Sequence, residues 1–136
     1  MPDKKRILIV DDEIGLVQML KFNLEGTGEY EVRTETKGSQ AIQAAREFKP
    51  DLIFIDVIML DMGGPEVAFH LSEDPELRHI PFVFLTGTVI PDELSSTDNT
   101  VAGLAYLAKP VCLDELIKCV EKHILGKSNG SNVKAA

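Results

Sequence analysis

The feature that most constrains the fold of this chain is a regular alternation of short apolar runs with helical patterns. Runs such as "RILIV", "LIFI" and "FVFL" are rich in Ile, Val, Leu and Phe and are typical of strands buried on both faces. Between the runs, apolar residues recur at helical spacing, and Val17, Leu20 and Leu24 fall on one helical face. The alternation predicts a parallel sheet covered by helices on both faces, with right-handed crossovers.

Five strands and five helices are predicted along the chain. The strands are "RILIV", "YEVRTE", "DLIFID", "PFVFLT" and "LAYLA". Helices are expected from Ile14 to Glu25, from a cap at Ser39 through Phe48, around Pro65 to Glu73, and from about Leu113 to Leu125. The remaining helix belongs in "PDELSSTDNTVAG", where Ser, Thr, Asp and Asn are mediocre helix formers, so we expect it to be short or loose.

One domain is expected, because 136 residues are enough for one good core and lie near the commonest domain size. We expect this domain to occupy residues 1–126. Residues 127–136 are small and polar and are expected to form a mobile tail. We expect the chain to be either a stand-alone protein or a domain excised from a longer regulator.

Composition and charge argue against several kinds of partner and site. No apolar run approaches the roughly 18 residues of a membrane span, and the start lacks a signal peptide, so a cytoplasmic location is expected. A net charge of -8 works against binding nucleic acid or anionic membranes, so we expect protein partners. Cys112 and Cys119 lack metal-site spacing and are expected to be small apolar helix residues.

Polar residues suited to chemistry stand where the predicted strands end. Asp11 and Asp12 follow the first strand, Asp56 ends the third, Thr86 ends the fourth and Lys109 follows the fifth. Ligands of doubly wound parallel sheets bind outside the carboxyl ends of the strands, so we expect these side chains to form one site. Each residue alone has an ordinary explanation as a cap or turn residue, but their combination at four strand ends favours a function.

The three aspartates predict a magnesium site. Held together at the edge of an apolar core, they would repel one another unless a cation neutralised them. Their oxygen ligands suit Mg²⁺ better than Zn²⁺. Another interpretation stays open for the first pair, because Asp11 or Asp12 can cap the helix that begins near Ile14, with Glu13 favoured by the helix dipole.

Asp56 is the predicted nucleophile. The end of an apolar strand is a rigid support, and a carboxylate can carry a phosphoryl group as an acyl phosphate. Lys109 would bring a positive charge to its oxygens, and Thr86 a hydrogen-bond donor. Positioning and charge neutralisation supply most of the catalysis of phosphoryl transfer, so these groups suffice.

From about Lys5 to Leu125 the sequence resembles the receiver domain of two-component response regulators, through "RILIVDDE", "DVIMLDMGG" and the Lys109-Pro110 pair. The resemblance implies a flavodoxin-like, doubly wound sheet of five parallel strands in the order 2-1-3-4-5, with five helices. The loop after Asp56 departs from the usual pattern, since Leu60 stands where proline is common and Gly63 where aspartate is.

The same resemblance implies the composition of the metal site. Asp56 would be the phosphoacceptor and a metal ligand. Asp12 would bind Mg²⁺ directly, and Asp11 mainly through water. The main-chain carbonyl of Ile58 would complete the protein's share of the metal shell.

It also implies the parts of a switch. Thr86 would be the switch hydroxyl, Tyr106 the switch aromatic, and Lys109 the phosphate-contacting lysine. The bond between Lys109 and Pro110 would be cis.

The function implied is mainly that of a signalling switch, which phosphorylates itself from a phosphohistidine donor and dephosphorylates itself. A phosphohistidine on a sensor histidine kinase or a histidine phosphotransfer protein would donate its phosphoryl group to Asp56 with Mg²⁺. Water would later hydrolyse the acyl phosphate, and the domain would promote both steps. Phosphorylation would change the affinity for a downstream protein target or effector domain.

Three other functions stay open. The chain would be a phosphorelay intermediate if it passed the group on to another phosphotransfer protein. It would be a receiver-like binding module if it were never phosphorylated, although the intact aspartates and Lys109 argue against this. A phosphatase with an aspartate nucleophile would carry a second acid two residues after that aspartate, where this chain has Ile58.

Overall fold

The computed structural model describes residues 4–87, 100–101 and 104–125. Its strands are β1 (Lys5–Val10), β2 (Tyr30–Glu35), β3 (Leu52–Asp56), β4 (Phe82–Thr86), β5 (Thr100–Val101) and β6 (Leu104–Ala108). Its α-helices are α1 (Ile14–Gly26), α2 (Ala41–Phe48), α3 (Gly64–Glu73) and α4 (Leu113–Val120). A 3-10 turn at Gly38–Gln40 precedes α2, and a π-helical turn at Glu121–Leu125 follows α4.

The strands form one sheet in the order β2-β1-β3-β4-β6-β5. The first five strands in this order, β2 to β6, pair in parallel, and β6 is the fifth predicted strand. This pairing confirms the predicted flavodoxin-like order. The two-residue β5 pairs antiparallel with β6 and was not predicted. Most of the segment expected to hold a further helix lies outside the described residues, as does the predicted tail at 127–136.

The strand period of two divides the core into two layers, one on each face of the sheet. In β1, Ile7 and Ile9 point to one face and Leu8 and Val10 to the other, and all four are completely buried. The first layer also contains Val17, Leu20 and Leu24 of α1 and Leu116 and Val120 of α4. The second contains Ala41, Ala44 and Ala45 of α2 and Val67 and Leu71 of α3. Helices thus cover both faces, as predicted for a doubly wound sheet.

The start of α2 differs from the prediction, because Ser39 does not cap the helix. Gln40 precedes α2 and makes no side-chain cap hydrogen bond. Asp61, in the loop between β3 and α3, instead accepts hydrogen bonds from the N–H groups of Gly38 (3.0 Å) and Ser39 (3.1 Å). Hydrogen bonds from Ser39 and Gly38 hold the pKa of Asp61 well below its usual range. The loop after β3 is thereby tied to the loop after β2.

None of the helices in the described part of the chain is both long and apolar enough to cross a membrane.

Candidate functional site

The carboxyl ends of β1, β3, β4 and β6 bring the predicted site residues together at one edge of the sheet. The Asp11 N–H donates to the carbonyl of Glu35 at 3.0 Å, which fixes Asp11 just beyond β1. The Lys109 N–H donates to the carbonyl of Thr86 at 2.8 Å, so Lys109 is held beside the end of β4. The peptide bond between Lys109 and Pro110 is cis.

Three carboxylates surround the ammonium group of Lys109. Its Nζ lies 2.6 Å from Glu13 Oε1, 2.8 Å from Asp11 Oδ2 and 3.3 Å from Asp56 Oδ1. Burial disfavours the charged ammonium, but the contacts with Asp11 and Glu13 outweigh it, and the Lys109 pKa lies above its usual range. Lys109 is therefore a permanent cation beside Asp56.

Asp56 occupies an environment that resists its negative charge. Burial and the neighbouring Asp11 carboxylate raise the Asp56 pKa, although Lys109 opposes the shift. One cation does not offset two neighbouring carboxylates at this buried position. The site therefore has an excess of negative charge that a further cation would relieve.

The chemistry of the acidic residues fits Mg²⁺. Asp11, Asp12 and Asp56 each offer an oxygen, and the three ligand atoms lie within 4.8 Å of one another. Asp11 Oδ1 accepts a hydrogen bond from the Glu13 N–H at 2.9 Å. Asp11 Oδ2 is buried and accepts no hydrogen bond from any described residue, its contact with Lys109 being one of charge. A buried carboxylate oxygen with unused lone pairs in an all-oxygen cluster suits a hard dication.

The site opens to solvent through a cleft of about 350 Å³. Asp56, Thr86 and Lys109 line it, together with Asp12, Glu13, Val57, Ile58 and Gly87. The Ile58 side chain is 73% exposed at this rim, and Leu60 beside it is 98% exposed. The metal-binding role of the Ile58 carbonyl stays a prediction.

Thr86 and Tyr106 lie on neighbouring strands, on the same face of the sheet. Thr86 is buried and pairs in register with Ala108, while Tyr106 pairs with Phe84, two residues before Thr86. The Tyr106 ring is half-buried, with its centroid 5.4 Å from that of Phe84. Thr86 and Tyr106 are therefore diagonal neighbours on this face of the sheet.

The two cysteines have no part in the site. Cys112 is exposed and precedes α4, so the expectation of an apolar helix residue is wrong for Cys112. Cys119 lies within α4, and burial raises the pKa of its thiol to about 11. Such a thiol stays protonated near neutral pH, in agreement with a packing role.

Two residues that matter to the site were missed from the sequence. Glu13 was assigned only to the helix dipole, but it makes the shortest contact with Lys109. Gly64 was given no role in the sequence analysis, but a Cβ there would collide with the carbonyl oxygen of Asp56. The third acid in "DDE" is a sequence signal for Glu13, whereas Gly64 has no local signal beyond the pair Gly63-Gly64.

Comparison with known proteins gives one family. The family model of the response regulator receiver domain matches residues 7–121. The chain is 29% identical over 120 residues to the polar-differentiation response regulator DivK of Brucella anthropi, an alignment that covers 88% of this chain and 96% of DivK.

Solved structures give the same result. The chemotaxis protein CheY4 of Vibrio cholerae superposes with a TM-score of 0.76 at 28% identity, covering 89% of this chain and 99% of CheY4. The signal receiver domain of a signal transduction histidine kinase from Syntrophus aciditrophicus gives a TM-score of 0.73 at 32% identity, covering 90% of this chain and 91% of that domain. This chain belongs to the response regulator receiver domains of two-component systems.

Proposed function

We propose that Asp56 accepts a phosphoryl group from a phosphohistidine, with Mg²⁺ bound by the neighbouring acidic residues. The observation that carries this proposal is the setting of Asp56. Its buried carboxylate lies 3.3 Å from Lys109 Nζ and in one oxygen cluster with Asp11 and Asp12. A nucleophile with both a fixed cation and a candidate dication site beside it has what phosphoryl transfer requires.

In the proposed reaction, one bond to phosphorus replaces another. A carboxylate oxygen of Asp56 forms the new O–P bond while the N–P bond of the phosphohistidine breaks, and the electron pair of that bond stays on the imidazole. Mg²⁺, when held by Asp11, Asp12, Asp56 and the main-chain carbonyl of Ile58, would neutralise charge on the phosphoryl oxygens. Lys109, the fixed cation beside Asp56, neutralises further charge on these oxygens. Later attack by water releases inorganic phosphate and restores the carboxylate.

The proposed switch connects this site to the protein surface. The Thr86 hydroxyl moves to donate to a phosphoryl oxygen and vacates space into which the Tyr106 ring turns. The surface around Tyr106 and α4 then binds a downstream protein target or effector domain with a different affinity. The donor is a sensor histidine kinase or a histidine phosphotransfer protein, and the location is cytoplasmic.

Mass spectrometry of the intact protein tests the proposal. After incubation with acetyl phosphate and Mg²⁺, we expect the mass of one added phosphoryl group on the unaltered chain and none on Asp56→Asn. Asp51→Asn is the matched control, because Asp51 is exposed and lies just before the opposite end of β3. Equal phosphorylation of Asp56→Asn, or phosphorylation that does not need Mg²⁺, would contradict the proposal.

A further inference from the structure

Glu13 makes a contact that the proposed reaction does not use. Of the three carboxylates around Lys109 Nζ, that of Glu13 is the nearest, at 2.6 Å. Its side chain is 60% exposed, whereas those of Asp11 and Asp56 are 0% and 9% exposed. The Glu13 carboxylate is therefore the one of the three that can move into water without rearranging the core.

The backbone of Glu13 is fixed although its side chain is exposed. The Glu13 N–H donates to Asp11 Oδ1 at 2.9 Å, and its carbonyl accepts the Val17 N–H at 3.1 Å, within the first turn of α1. The carboxylate is thus held at the rim of the cleft, next to Lys109, and rotation about the side-chain bonds is enough to withdraw it.

We propose that Glu13 is a positioning residue that occupies on Lys109 the place a phosphoryl oxygen takes when Asp56 is phosphorylated. This inference rests on the function proposed above. Glu13 Oε1 accepts a hydrogen bond from Lys109 Nζ, whereas the contacts of Nζ with Asp11 and Asp56 are ion pairs. A phosphoryl oxygen on Asp56 that approaches Nζ therefore competes with Glu13, which is the exposed one of the three carboxylates. Glu13 thereby favours the unphosphorylated state and slows entry into the phosphorylated one.

The size of the effect follows from the exposure of Glu13, whose side chain is 60% exposed against 16% for Lys109. Water and salt screen an ion pair with an exposed partner, so removing this one should change an equilibrium by about two- to fivefold. Glu13 takes no part in bond making. With acetyl phosphate as donor, an Asp56 oxygen forms the O–P bond, and the electron pair of the broken P–O bond leaves with acetate.

Two variants separate the contact from the charge. Glu13→Gln keeps the size and removes the charge, whereas Glu13→Asp keeps the charge but is one methylene too short for the same contact. We expect both to bind trifluoroberyllate, a phosphoryl mimic, about two- to fivefold more tightly than the unaltered chain in calorimetry with Mg²⁺. Both should also be phosphorylated faster by acetyl phosphate. Glu73→Gln, at the far end of α3, removes the same charge and should change neither quantity.

The Lys109 ammonium group gives a measurement that needs no phosphoryl donor. In nuclear magnetic resonance spectra without Mg²⁺, its protons should exchange faster with water in Glu13→Gln and Glu13→Asp than in the unaltered chain. If Glu13→Gln binds the mimic no more tightly, or if Glu13→Asp behaves like the unaltered chain, the inference is wrong and the proposed function stands. If the unaltered chain takes up no phosphoryl group, both the inference about Glu13 and the proposed function are wrong.

Discussion

At the scale of single residues, the position of Asp56 opposes the charge that its proposed role needs. Burial and Asp11 raise its pKa, so the folded state disfavours the carboxylate that the proposed chemistry needs. A raised carboxyl pKa in the folded state adds stability at low pH, and this stability is lost as the pH rises through the folded-state value. At neutral pH the charged Asp56 therefore destabilises the protein.

We therefore predict that Asp56→Asn raises the melting temperature at neutral pH without Mg²⁺. Each kcal/mol added to the free energy of unfolding should raise the melting temperature by about 3 to 5 °C in a domain of this size. The difference from the unaltered chain should shrink as the pH is lowered and Asp56 becomes protonated. Differential scanning calorimetry across pH, with Asp51→Asn as the control, measures this. An equal or lower melting temperature for Asp56→Asn at neutral pH would show that the charged Asp56 carboxylate does not destabilise the fold.

Ile58 is expected to lengthen the life of the acyl phosphate. Its side chain lies exposed at the rim of the cleft beside Asp56 and cannot hydrogen-bond to an attacking water. We predict that Ile58→Asn, which can orient that water, shortens the lifetime. The decay of the phosphorylated mass after removal of the donor measures it, with Leu60→Asn as the control for added polarity on the same loop. An unchanged or longer lifetime in Ile58→Asn argues against the prediction.

At the scale of elements, the junction between β3 and α3 depends on a close approach that only glycine allows. A Cβ at Gly64 would collide with the carbonyl oxygen of Asp56, whereas a Cβ at Gly15, in the first turn of α1, would meet nothing within 4 Å. The first helical residue of α3 and the last residue of β3 therefore constrain each other.

We predict that Gly64→Ala destabilises the fold by about 1 to 3 kcal/mol, because the backbone must shift to make room. Gly15→Ala is the matched control and should stabilise the fold by up to about 1 kcal/mol, since alanine is the better helix former. Urea unfolding measures both. A Gly64→Ala variant as stable as the unaltered chain would mean that the contact is not tight.

Helices and strands could be predicted where their sequence pattern lies within the element itself. The end of β1 and the start of α1 agree with the prediction because the apolar runs and helical spacing lie within the segment itself. The cap of α2 was not predictable, because the group that satisfies the Gly38 and Ser39 N–H groups belongs to Asp61, on another loop. β5 was missed because its two residues depend on pairing with β6.

At the scale of the whole molecule, topology explains why most of the site could be predicted. A parallel sheet brings the ends of its strands together, so Asp11, Asp56, Thr86 and Lys109 needed only the strand order to be placed on one edge. The Glu13 contact needed side-chain geometry between residues 96 positions apart, which no spacing in the sequence encodes.

Coupling between the site around Asp56 and the ring of Tyr106 is predicted to depend on the Thr86 hydroxyl. With trifluoroberyllate and Mg²⁺, the ring signal of Tyr106 should shift in the unaltered chain and in Thr86→Ser, but not in Thr86→Ala. Selective labelling of tyrosine gives two signals, and the buried Tyr30 on β2 is an internal reference that should stay in place. A full Tyr106 shift in Thr86→Ala would show that the hydroxyl does not carry the signal.

The most direct measurement of the central claim is the position of the phosphoryl group in the chain. Borohydride reduces an aspartyl phosphate to homoserine, and peptide sequencing by mass spectrometry then identifies the residue. After phosphorylation with Mg²⁺, we predict homoserine at position 56 and unaltered aspartates at 11 and 12. Homoserine at either of those positions, or a phosphoryl group on a histidine instead, would contradict the account of Asp56 as the nucleophile.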